Sequence, residues 1–170
     1  MVPEVSHKKR IIMLIVDTLM DSSLQAALEH GKAPAFKFLI EKGHYFSNVI
    51  SPFPTMSVNV DSTLLTGVNS DKHKIPGLVW YSQKEKRIIN YGSHVRELFK
   101  LGLKQSMEDI FFNFNHEHLS KKQQTIHEFL KDKGIQTASI NTLLYRGSNV
   151  TQIKVPFLLS LLTGINKELV

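Results

Sequence analysis

The run Ile11-Ile12-Met13-Leu14-Ile15-Val16 is apolar at every position and closes on an acid, Asp17. A strand with one wet face alternates apolar and polar residues. An unbroken apolar run of this length reads instead as a strand buried on both faces, the habit of parallel sheets covered by helices. The run is too short for a secretory core or a membrane span. It therefore predicts an α/β fold with a mainly parallel sheet flanked by helices. In such sheets, sites form outside the carboxyl ends of the strands, which is where Asp17 would stand.

The rest of the chain continues the alternation. Asp21, Ser22 and Ser23 can start a short helix towards His30, which Gly31 stops. Pro34 opens a second helix over Ala35–Lys42, with Phe36, Leu39 and Ile40 on one face and Gly43 at its end. Tyr45–Ile50 reads as the next strand. Pro52 and Pro54 then break the chain, and from Ser57 the sequence turns helical until Thr66-Gly67. Gly77–Tyr81 and Arg87–Tyr91 read as strands joined by the charged turn Ser82–Lys86. Val95–Leu103 reads as helix, while Asp109–Leu119 fits no simple period. Ser120 is a fair N-cap for a helix to Lys133, with Ile126, Phe129 and Leu130 on its apolar face, and Ile135–Ile140 supplies a further strand. The apolar stretch 155–164 reads as a core helix. All 170 residues are expected to form one domain, and a chain stopping in or just after an apolar helix predicts a sheet incomplete at the C-terminus.

Composition narrows the functional classes. Hydrophobic content is 42% and charged content 21%, as in a globular chain with a real core. There is no cysteine, which excludes disulfides and thiolate metal sites. With no secretory or spanning run, this sets a cytoplasmic expectation. The net charge of +6 is scattered over Lys8-Lys9-Arg10, Lys84–Arg87, Lys121-Lys122 and Lys131–Lys133. No basic stripe with interleaved aromatics emerges, so no nucleic-acid partner is expected, only a mild attraction for small anionic substrates.

The segment Pro54-Thr55-Met56-Ser57-Val58-Asn59-Val60-Asp61-Ser62-Thr63-Leu64-Leu65-Thr66-Gly67 carries the chemistry. A hydroxyl at a helix start feels the positive end of the helix dipole, which favours an alkoxide and a bound phosphoryl oxygen. Thr55 and Ser57 both lie near the turn, and the residues alone do not separate them. No Gly-x-Ser-x-Gly elbow surrounds either, so a metal is the better activator. Asp17 beside such a hydroxyl, both at the carboxyl edge of the sheet, suits metal-assisted attack on a phosphate or sulfate ester. His116 and His118 form a His-x-His pair that shares a face only in a strand; a surface or loop role is expected. His44 and His73 read as structural. Tyr145-Arg146-Gly147 reads as an ordinary loop, with an anion contact as the second reading.

In order along the chain, Ile15–Leu19, Ala33–Leu39, Gly43–Asn48, Pro52–Gly67, His73–Gly77 and Thr125–Asn141 resemble the N-terminal part of the alkaline-phosphatase superfamily, in its type I phosphodiesterase/nucleotide pyrophosphatase branch. The resemblance implies an alkaline-phosphatase-like core and hydrolysis of phosphate mono- or diesters. It implies two divalent metals, zinc in the phosphodiesterase branch. Asp17 matches the first aspartate ligand. Ser57 matches the nucleophile, itself a metal ligand, because its spacing to Leu64-Leu65-Thr66-Gly67 selects it over Thr55. No role follows for Asn59 or Asp61. Leu78 stands where nucleotide-processing relatives place a phosphate-holding Asn, and leucine cannot donate that bond. The later Asp, Asp-His and His ligands find no match before Val170. The chain is thus expected to be a fragment, inactive alone. A sulfatase or phosphomutase of the same superfamily, or a noncatalytic α/β binding domain, are the alternatives.

Overall fold

The computed structural model describes residues 10–153. It divides into two compact units that meet between Ile50 and Ser51. The stretch 155–164, read above as a core helix, lies outside the described residues.

In the first unit, α1 (Asp21–Glu29) packs on α2 (Pro34–Lys42). Pro34 occupies the first turn of α2, where its missing N–H costs nothing, and Gly43 closes the helix as expected. The two strands anticipated here are corrected. Ile11–Val16 and Tyr45–Ile50 are irregular and pair with no strand. Ile11 and Ile12 are each 91% exposed and Ile50 90%. An apolar run becomes a strand only when a neighbour completes its hydrogen-bond ladder, and no described segment does so here.

In the second unit, α3 (Ser57–Thr66) begins and ends where the sequence predicts. Gly67 takes the left-handed conformation (φ 69°), and its N–H caps the Thr63 carbonyl at 2.8 Å. Inside the helix, Ser62 and Thr66 return their hydroxyls to the carbonyls of Val58 and Ser62. A single turn, α4 (Ser70–His73), packs on α3.

The hairpin β1 (Val79–Ser82) and β2 (Arg87–Asn90) pairs Trp80 with Ile89 and Tyr81 with Ile88. Ile89 points inward and is fully buried, while Tyr81 and Ile88 face out. The helix expected over Val95–Leu103 breaks at Gly102 (φ 98°) into α5 (Val95–Leu101) and α6 (Leu103–Glu108). Asp109–His118, which fits no simple period, is a π-helix. Its wider turn carries Ile110, Phe111 and Phe114 into the core beside Val58, Ile75, Ile89 and Tyr91.

The next helix is α7 (Ile126–Asp132), five residues shorter at its start than the Ser120 cap predicted. Thr125 caps it in a complete capping box: its hydroxyl accepts the Glu128 N–H, and Glu128 accepts the Thr125 N–H. β3 (Ala138–Ile140) then pairs in parallel with β4 (Val150–Gln152). The described residues thus mix helices with one antiparallel and one parallel pair of strands. The architecture is consistent with an α/β fold. The mainly parallel, helix-flanked sheet is not among these residues.

Candidate functional site

Asp17 lies in the first unit, on a turn and exposed. Its Oδ1 accepts the N–H of Thr18 at 3.0 Å. Thr18 has φ 58°. That is the left-handed region, which a β-branched residue rarely occupies.

Ser57 lies in the second unit as the first residue of α3, exposed, with Thr55 two residues before it and also exposed. The N-cap position belongs to Met56, which offers no side-chain acceptor. Ser57 thus sits one position inside the cap. It stands over the positive end of a ten-residue helix dipole. Beneath it, Val58, Asn59 and Ser62 are buried. Asn59, without a role in the sequence, donates its Nδ2 to the Pro54 carbonyl at 2.6 Å.

The histidines sort differently from one another. His73 is fully buried. Its Nδ1 accepts the Ile75 N–H at 3.1 Å, so its Nε2 carries the proton and donates to Thr63 Oγ1 at 3.3 Å. Both nitrogens are committed, as the structural reading required, and burial holds the ring below its ordinary value.

His116 is exposed, with its ring edge towards Tyr145. His118 corrects the surface expectation: it is 7% exposed. Two residues apart on a helix, the two rings cannot share a face. His118 Nε2 lies 2.9 Å from Glu85 Oε1, and its Nδ1 lies 2.7 Å from the Tyr91 hydroxyl. A carboxylate only accepts, so Nε2 donates to Glu85 and Nδ1 accepts from Tyr91. Burial pushes His118 down, against the pull of Glu85 and Asp109, and pushes the Tyr91 hydroxyl up. Glu85 also pairs with Arg87, which forks onto Asp109 at 2.6 and 2.8 Å. This chain of bonds fastens the hairpin turn to the π-helix.

The anion reading of Arg146 does not hold. Its guanidinium is spent on the Leu119 and Ser120 carbonyls and on Glu128.

Among the described residues, no three of His, Cys, Asp and Glu gather in a group able to hold a metal ion. Asp17 and Ser57 are two oxygen donors against the four that a zinc site commonly uses. A metal centre built from these residues alone is incomplete. No helix among them is long and apolar enough to cross a membrane.

A serine at the opening of a helix in a mixed α/β chain selects no function by itself. The particular family is decided by sequence: the model of type I phosphodiesterase / nucleotide pyrophosphatase matches residues 11–156, and the chain belongs to that family, within the alkaline-phosphatase superfamily. It is a family of phosphodiesterase- and pyrophosphatase-type hydrolases acting on small phosphate esters or nucleotides, and generally metal-dependent. No curated protein and no solved structure gives a significant match.

Proposed function

We propose that this chain carries the nucleophile segment of a hydrolase of phosphate mono- or diesters, with Ser57 as the attacking residue. The observation that carries the reading is Ser57 itself: an exposed hydroxyl on the first residue of α3, inside the stretch the family model matches. Ser57 Oγ attacks phosphorus, the bond from phosphorus to the leaving oxygen breaks, and water later releases the covalent phosphoryl group. The α3 dipole favours the negative charge that gathers on the phosphoryl oxygens.

Asp17 is proposed as a carboxylate ligand of a divalent metal, zinc by the branch resemblance, which would activate the serine. The remaining ligands would come from outside the described residues, and a noncatalytic binding role is the reading favoured if they do not exist. Leu78 in place of a phosphate-holding amide argues for simple phosphate esters over nucleotides.

The test takes the protein with the remaining metal ligands present and incubates it with zinc and an aryl phosphodiester, followed by peptide mass spectrometry. A phosphoryl adduct on the Ser57 peptide, absent in Ser57→Ala and kept in Thr55→Ala, is expected. An adduct that survives Ser57→Ala moves the nucleophile elsewhere, and absence of adduct and turnover in the wild-type chain with saturating metal favours the binding role.

A further inference from the structure

We propose that Asn59 is a positioning residue that holds the hydroxyl-bearing end of α3 in shape; its catalytic consequence rests on Ser57 being the nucleophile. Asn59 is the third residue of α3 and is fully buried. Its Nδ2 donates to the Pro54 carbonyl at 2.6 Å, and the same carbonyl accepts the Met56 N–H at 2.9 Å. The Met56 carbonyl in turn accepts the N–H groups of Asn59 and Val60, each at 2.9 Å. Residue 59 thus grips the chain before Ser57 twice, once through its side chain and once through its backbone. Ser57 lies inside that ring of bonds. Its Cα–Cβ direction is set by them although its side chain is exposed.

The second observation is energetic. Asn59 Oδ1 is buried and finds no hydrogen-bond partner among the described residues. A buried acceptor without a donor is a net loss, and an apolar side chain of similar volume would remove it. Stability therefore does not account for an asparagine between Val58 and Val60. What asparagine supplies and leucine cannot is an N–H aimed at the Pro54 carbonyl. Met56 offers no side-chain cap, so this bond is the side-chain tie between α3 and the turn before it.

The experiment replaces Asn59 by leucine in the protein with the remaining metal ligands present and reads three quantities: the thermal midpoint, amide exchange over residues 54–60, and kcat and KM for an aryl phosphodiester with zinc. The midpoint is expected to hold or rise. Exchange over 54–60 is expected to quicken about ten-fold, and kcat to fall about ten- to a hundred-fold with KM within about two-fold, the signature of a displaced reacting group. Exchange unchanged from wild type overturns the proposal. Faster exchange with kcat unaltered overturns the catalytic consequence. A wild-type chain without turnover removes the nucleophile reading alone, and exchange still decides whether Asn59 holds the turn. If the leucine variant does not fold, Asn59→Ser, too short to reach Pro54, gives the same exchange readout.

Discussion

A carboxylate in a buried place needs donors on every side, and Asp109 has them. It is 1% exposed and accepts from both terminal nitrogens of Arg87, from Asn113 at 2.8 Å and from Gln105 at 3.4 Å. Asp109→Ala would leave the guanidinium with Glu85 as its remaining carboxylate partner. Breaking one side of a buried pair costs about 3–5 kcal/mol. The retained Glu85 contact sets the expectation at the lower end, read as a lowered urea midpoint with an unchanged slope. A midpoint within error of wild type would mean that the pair is not formed in solution. At this scale the sequence speaks unevenly. The place of Ser57 at the start of α3 is legible because its spacing to Thr66-Gly67 is a pattern in one dimension. Asn59 and His118 are not, because their roles depend on what they meet: a carbonyl five residues back, and a carboxylate and a phenol brought in by the hairpin.

Elements show the same division. The helix α7 is held at its start by the Thr125–Glu128 box and by Thr125 Oγ1 donating to the Arg146 carbonyl at 2.6 Å. Arg146 reaches back to the Leu119 carbonyl at 3.1 Å and to Glu128. Gly147 lets the chain pass so close: its φ is +88°, and a Cβ there would meet the Glu128 nitrogen at 2.8 Å. Gly147→Ala therefore combines a left-handed backbone with overpacking and is expected to cost about 2–4 kcal/mol. A thermal midpoint shifted by less than a degree would show that the loop relaxes away from α7. The bounds of α2 and α3 were readable because proline and glycine act locally, whatever the rest of the chain does. Strand status at Ile11–Val16 was not, because ladder partners are remote. The π-helix over Asp109–His118 was equally hidden; its register satisfies Asn115, which donates to the Leu143 carbonyl and accepts from the Tyr145 N–H.

Across the described chain, three buried histidines share one electrostatic bias. Burial holds His73, His118 and His127 below the ordinary value near 6.5. Below that pH the unfolded chain binds more protons than the folded one, so acid favours unfolding. Their contribution is whole above about pH 6.5 and is lost as the pH falls through the depressed values. Burial moves Tyr91 and Tyr145 the other way, above 10.0, so their contribution is present below pH 10 and lost above it. A series of thermal midpoints at constant ionic strength should peak between these limits and fall on both sides. A flat profile from pH 7.5 to 5 would show that the three rings are hydrated in solution.

What the sequence determined by itself is whatever depends on near neighbours: the family, carried by ordered short motifs across residues 11–156; the limits of α2 and α3; and the serine on the first residue of α3. The tertiary structure alone decided which polar groups are spent internally, as His73, His118 and Arg146 are, and which apolar runs find a ladder. The physical reason is that hydrogen bonds and burial saturate. A side chain's chemistry is known from its type, but its availability is known only once every group that could occupy it has been placed.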